Sequence, residues 1–392
     1  MIMTSYLSKQ NSSLHQNSLK KGITTGSCAT ATAKAALLAE YSGEYPKEVT
    51  IITPEEKKLT IPIAAYGFRT NDKKSAWVRK DAGDDSDITH GTLIGAKVKL
   101  TKDREIVIDG GQGVGQVTKP GLPVEVGQAA INPGPKQMIV NNLREFLPKD
   151  KGVSITITVP KGEQLAEKTL NSKLGIVKGI SILGTTGIVE PMSTQAMKES
   201  LKIQLPQINQ LKQDTLVIVP GRSGEKIALS RGVNGDCIAI VGNYIGYMIR
   251  NAMKYDFTKI LLLGHIGKLA KLSAGIFNTY SKTADARREI FVTHAALKGF
   301  SNPVIDQLWE SVTAEESVNI LLNHDETTGS NQGDRTLKSI AQEAEHRVSE
   351  LTGPDHQVGV LLTNRPGKII AWGNGAKDIC YSKGWDVWER LS

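Results

Sequence analysis

Four apolar segments, each running into a glycine, lie between residues 180 and 264: Ile180–Gly184 (ISILG), Leu216–Gly221 (LVIVPG), Cys237–Gly242 (CIAIVG) and Ile260–Gly264 (ILLLG). Helical patterns follow them at roughly Met192–Ile203, Glu225–Arg231, Tyr244–Lys254 and Lys268–Tyr280. Strands that are continuously apolar, rather than alternating, are buried on both faces. Alternating with helices, they predict a parallel sheet covered on both sides. The middle of the chain therefore reads as Rossmann-like α/β. Tight turns favour glycine for their own sake, but four at the carboxyl ends of successive strands leave room for a ligand crevice where open sheets bind one.

The preceding region has another texture. Short alternating segments near Glu48–Thr53, Thr60–Ala64, Ala76–Lys80, Ala96–Thr101 and Glu105–Asp109 predict an α+β part with a mixed sheet. Ahead of them stands Lys21-Gly22-Ile23-Thr24-Thr25-Gly26-Ser27-Cys28-Ala29, then an alanine-rich run to Tyr41. Ser27 is an N-cap residue type, and the alanines and leucines carry a helix onward. Its first-turn N–H groups would face a loop of glycine and hydroxyl side chains, an arrangement suited to a polar or anionic group. The same string also reads as an ordinary capped helix.

Two loops interrupt this region. Residues 81–87 (DAGDDSD) hold four carboxylates, whose crowding should raise some of their pKa values unless cations or N–H groups compensate. They suit a proton transfer, a metal or a cationic ligand, or simply a solvated turn. Residues 110–121 (GGQGVGQVTKPG) miss the GxGxxG spacing, and Pro120 precludes an immediate helix, so a dinucleotide fingerprint is rejected. What remains is a flexible, donor-rich loop carrying Lys119. In the middle part, Pro220-Gly221-Arg222 offers a guanidinium. Gly264-His265-Ile266-Gly267-Lys268 offers an imidazole and an ammonium, without the Ser or Thr of a Walker loop. A helix is also expected at 136–146.

At 392 residues the chain exceeds what one core usually supports. We divide it into a Ser/Asn/Gln-rich disordered lead-in (1–20), an α+β domain (21–175), the Rossmann-like domain (176–300) and a C-terminal part (301–392). That last part has helices at Pro303–Asn323 and Arg335–Leu351 and a flexible stretch at Asp325–Asp334. Its two strands, Gln357–Thr363 and Lys368–Trp372, turn at Arg365–Lys368 and serve to complete an earlier sheet or to make homodimer contacts. Three scattered cysteines suggest a reducing cytoplasm, with no disulfide framework and no zinc spacing. No apolar run reaches the ~18 residues of a membrane span. The net charge of +8 favours anionic partners. With 5% aromatics and no basic arm, a small anion is preferred to nucleic acid.

Together these strings resemble the CbiD family, the cobalt-precorrin-5B C1-methyltransferases of anaerobic cobalamin biosynthesis. The matching stretches are GITTGSCATATAKAA, DAGDDSDITHG, GGQGVGQVTKPGL with VGQAAINPGPKQMI, GTTGIVEPMS, GNYIGYMI and GHIGKLAKLSAGIFNTYS, spanning 22 to about 281. Tyr280 stands where the family pattern has His, and Gly134 where Val is usual.

The resemblance implies methyl transfer from S-adenosyl-L-methionine, as co-substrate, to C1 of an anionic tetrapyrrole. The cobalt belongs to that substrate, so no protein metal site is expected. On this reading the cofactor lies in the crevice formed by Gly184, Gly221, Gly242, Asn243 and Gly264. Thr24, Thr25, Ser27, Lys119, Arg222 and Lys268 meet substrate carboxylates. Asp81, Asp84, Asp85 and His265 are the catalytic candidates, for proton handling or for orienting the macrocycle. Two other classes stay open: a phosphate-handling transferase, which predicts ATP–magnesium binding, and a non-catalytic corrinoid carrier.

Overall fold

The computed structural model describes residues 19–67 and 74–385. The lead-in expected at 1–20 lies outside the described residues, except for its last two. Two compact units divide the chain, the first comprising residues up to 119 and 123–193, the second 120–122 and 194 onward. Among the described residues no helix is long and apolar enough to cross a membrane.

The first unit is built around helix α1 (Thr25–Tyr41) and a mixed sheet. The sheet strands are β1 (Ala65–Tyr66), β2 (Ser75–Arg79), β3 (Leu93–Thr101), β4 (Ile106–Gly110) and β5 (Gly152–Thr158), in the order β1-β2-β3-β5-β4. Only the β5–β4 pair is parallel. Helix α1 is buried almost all round, which its alanines permit by letting the sheet and helix α2 (Pro133–Leu143) approach closely. Its N-cap is Thr24 rather than Ser27. The Thr24 hydroxyl accepts the Ser27 N–H, which frees the Ser27 hydroxyl to donate elsewhere.

Two further corrections concern this unit. Ile180–Gly184 is no strand of the parallel sheet: only Gly179–Ile180 is extended, paired with Gly113–Val114. Beyond it, Ile182 exchanges hydrogen bonds with Ala130 and Asn132, and the Leu183 carbonyl accepts from Gly26. Nor is 110–121 a loose loop. It contributes Gly113–Val114 and Gln116–Val117 as short strands, with both valines buried. Gly113, at φ 75°, approaches so closely that a Cβ there would sit 1.8 Å from the Val159 carbonyl oxygen.

The second unit holds the parallel sheet. Its strands are β6 (Thr215–Val219), β7 (Ile238–Ile240), β8 (Lys259–His265), β9 (Gln357–Thr363) and β10 (Ile369–Trp372), in the order β7-β6-β8-β9-β10. All pairs are parallel except the β9–β10 hairpin, so the two C-terminal strands do complete the sheet begun earlier. Helix α3 (Arg222–Ser230) follows β6, and α4 (Ile245–Ala252) follows β7. Helices α5 (Arg287–Leu297), α6 (Asn302–Glu310), α7 (Ala314–Thr328) and α8 (Gln332–Thr352) fill the crossover from β8 to β9, and α9 (Asn374–Lys383) closes the chain.

Three helical expectations change here. The helix placed at 268–280 is a single turn, Ile266–Leu269, followed by a 3-10 turn that Gly275 ends at φ 71°. The helix placed at 303–323 breaks at Ser311–Thr313, where Thr313 and Glu316 form a reciprocal cap: Glu316 N–H to the Thr313 hydroxyl, Val312 N–H to the Glu316 carboxylate. The stretch 325–334 is mostly helical, because Asp325 accepts from Ser330, Gly333 and Asp334 and so welds α7 to α8.

Candidate functional site

Sheet order locates the crevice. After β6 the chain turns toward β7, on one side; after β8 it leaves toward β9, on the other. The β6–β8 boundary is therefore the topological switch point, where ligands of open α/β sheets sit beyond the strands' carboxyl ends. The turns found there are Pro220-Gly221-Arg222 and His265-Ile266-Gly267-Lys268, with Gly242-Asn243 one strand further out.

The four glycines that end the apolar segments do different things. A Cβ on Gly221 or Gly242 would meet nothing within 4 Å, so both border open space. A Cβ on Gly264 would lie 2.7 Å from the Pro220 ring, and one on Gly184 2.4 Å from the Thr24 side chain. These last two make room for their own chain. Gly221 and Gly242 thus leave their turns open, and Asn243, next to Gly242, holds Thr279 by backbone and side chain.

His265 is held at both ring nitrogens. Nδ1 accepts the Gly267 N–H at 3.0 Å, so Nε2 carries the proton and donates to Glu315 at 2.6 Å. The same Glu315 oxygen accepts the Arg365 N–H at 3.0 Å, tying the turn after β8 to the turn after β9. In this arrangement both ring nitrogens are engaged by the protein itself. In the same turn Lys268 is half-buried, and burial, then the Lys271 charge, draws its pKa down. Arg222 is exposed at the start of α3.

Glu315 escapes a reading by motif because it lies fifty residues from the histidine it serves. The one local signal was the Thr313-to-Glu316 spacing that starts its helix.

The remaining candidates belong to the first unit. Thr24, Thr25 and Ser27 are all buried and bonded to their own chain. The Ser27 hydroxyl donates to the Gly187 carbonyl at 2.6 Å, and Thr25 exchanges hydrogen bonds with Leu183. Gly26 N–H goes to the Leu183 carbonyl. The first turn of α1 is thus closed by the 181–187 segment, where Gly184 also lies. The Lys119 stem passes over Gly175.

The acidic loop is cross-braced. Asp81 pairs with Lys20 at 2.6 Å, Asp84 accepts the Lys20 N–H at 2.6 Å, Asp85 accepts the Met192 N–H at 3.0 Å, and Asp87 pairs with Lys80 at 2.7 Å. Crowding does not raise Asp81 or Asp87. The Lys20 ammonium and the Gly83 N–H hold Asp81 below the ordinary carboxylate range. Burial pushes Asp87 up, but Lys80 and Thr89 outweigh it and the net shift is downward. Each acid has its own donor, with Lys20 serving Asp81 through its ammonium and Asp84 through its backbone N–H.

Beside Lys80 lies Cys28. Burial pushes its thiol up to about 12, and that of Cys380 likewise to about 12. Neither forms a thiolate near neutrality, so neither should react with an aromatic disulfide reagent at pH 8 until the protein is unfolded. Rapid labelling of either residue in the native state would refute this.

The family model for CbiD matches residues 12–191, and that for the CbiD C-terminal domain matches 278–374. A protein of Desulfitobacterium hafniense named cobalt-precorrin-5B C(1)-methyltransferase is 41% identical over 366 residues, covering 93% of this chain and 92% of that one. The chain belongs to the CbiD family. A Thermoanaerobacter relative of the same name is 46% identical over 77% of this chain and 82% of its own. A solved structure of the family, the cobalamin biosynthesis protein (cbiD) from Archaeoglobus fulgidus, shares 31% identity with a TM-score of 0.38. It covers 69% of this chain and 84% of that one.

Proposed function

We propose that the chain transfers a methyl group from S-adenosyl-L-methionine to C1 of cobalt-precorrin-5B, a step of anaerobic cobalamin biosynthesis. The observation that carries this is a match of 41% identity along nine-tenths of both chains to a protein named for that reaction. Cobalt enters as part of the tetrapyrrole and is substrate. S-adenosyl-L-methionine supplies an electrophilic methyl carbon on a sulfonium.

The work left to the protein is positional: an in-line displacement needs the ring carbon held against the methyl group at near-attack distance. Gly221 and Gly242 give the donor its space, and the Glu315 clamp on His265 and Arg365 keeps the bordering turns in register. Arg222 and Lys268 are cations beside that space, suited to the acetate and propionate arms of the tetrapyrrole. A carboxylate near the sulfonium would favour binding more than rate, since the charge it neutralises vanishes in the transition state. The acids of the 81–87 loop act by fixing the loop itself. Buried, reduced cysteines accord with a cytoplasmic setting.

Calorimetric titration tests the reading. S-adenosylmethionine and S-adenosylhomocysteine should bind, alone or once the tetrapyrrole is present, and ATP–magnesium should not. Binding of ATP–magnesium in their place would overturn it.

A further inference from the structure

Beside the crevice, in the same unit, a polar cavity of about 300 Å³ lies between the first turn of α5 and the turn joining α6 to α7. Its charged lining is Asp285, Arg287, Arg288 and Glu289. Arg287 is spent: its guanidinium grips Asp285 through two bonds of 2.7 and 2.6 Å. Arg288 is not. Its Nε donates to the Ser311 carbonyl at 3.1 Å, while its two terminal nitrogens have no partner among the described residues. The Glu289 carboxylate likewise has none among them, and the two side chains do not pair with each other. The cavity therefore presents one open cation and one open anion.

That combination selects its ligand. A polycarboxylate would be repelled by Asp285 and Glu289, and a simple cation by Arg287 and Arg288. A zwitterion satisfies both. The volume stands at the small end of ligand pockets, enough for a ligand's polar end rather than a whole nucleoside derivative. The wall is continuous with the crevice turn: the Ala314 side chain lies 3.5 Å from where a Cβ on Gly267 would be, and the next residue, Glu315, is the one that holds His265.

We infer that this cavity receives the α-amino acid end of the sulfonium donor, its carboxylate on Arg288 and its ammonium on Glu289. The nucleoside end then runs along the 265–268 turn toward Gly221. This rests on the methyltransferase reading.

The test compares the full-length protein with Arg288→Gln and Glu289→Gln, both exposed positions, by equilibrium binding of S-adenosylhomocysteine and of 5′-methylthioadenosine, which lacks the amino acid. Each variant should lose about ten- to hundredfold in affinity for the former, the effect of removing one charge-assisted hydrogen bond. Each should keep its affinity for the latter and its melting temperature. Unchanged S-adenosylhomocysteine binding in both variants, or equal losses for the two ligands, overturns the assignment and leaves the methyltransferase reading standing. So does a loss confined to the tetrapyrrole in Arg288→Gln, which would make the site a substrate-carboxylate subsite. A wild-type protein that binds neither S-adenosylmethionine nor its product, with or without the tetrapyrrole, sinks the functional reading and this one together.

Discussion

Gly221→Leu should weaken donor binding about a hundredfold or more while lowering the melting temperature by no more than about 3 °C. Gly221 is extended, at φ −179° and ψ 178°, so a side chain costs no backbone strain there. Nothing of the protein lies within 4 Å of the new Cβ. The folded state loses only the N-cap preference for glycine over leucine, about 0.5–1 kcal/mol. A bound donor would meet four added carbons, and a single misplaced methylene in a ligand pocket already costs about 1–3 kcal/mol.

Gly264→Ala is expected to do the reverse. Its Cβ would press on the rigid Pro220 ring at 2.7 Å, an overpacking worth about 1–3 kcal/mol of stability, with donor affinity retained. Melting curves and S-adenosylhomocysteine titration of the two proteins decide the matter. If Gly221→Leu binds like wild type, the donor does not occupy the switch point.

Lys80→Met should destabilise the protein by about 2–3 kcal/mol at neutral pH. Lys80 is 1% exposed and its ammonium bonds Asp87, so the variant strands a partly buried carboxylate without its cation. Losing one partner of a buried pair costs about 3–5 kcal/mol. Asp87 retains some access to water, which trims the figure.

The pH dependence has a definite sign. The native pKa of Asp87 lies below its unfolded value of roughly 3.9, so the pair's contribution is complete above that pH. It is lost as the pH falls through the native pKa. Wild type should lose stability as the pH falls below about 4, and the variant should lose less there because the cation that depresses Asp87 is gone. Urea denaturation across that range measures it; equal stability and an equal acid slope in both proteins would show the pair to be inert.

The parallel sheet was legible because β6 and β8 carry unbroken runs, TLVIV and KILLLG, that only a doubly covered sheet buries. The β9–β10 hairpin was legible from Arg365-Pro366-Gly367 between two apolar runs, and Gly367 does close that turn. ISILG shows the failure of the same reasoning. It has strand composition, but its carbonyls and N–H groups are claimed by Ala130, Asn132 and the start of α1, partners no local pattern announces. The helix expected at 303–323 failed for a related reason. Ser311-Val312-Thr313 looked like interior positions until Thr313 and Glu316 capped one another and started a new helix.

What the sequence determined by itself was chemistry set by local order: apolar periodicity, the strings that place the chain in its family, and a basic surface suited to a carboxylated substrate. Which glycine borders open space and which makes room for Pro220 or Thr24, and which carboxylate is exposed and which is braced by a lysine, was decided only in the tertiary structure. So was the link from His265 to Glu315. Each depends on groups brought to within a few ångströms from distant parts of the chain, and hydrogen bonding and steric exclusion act over that range alone.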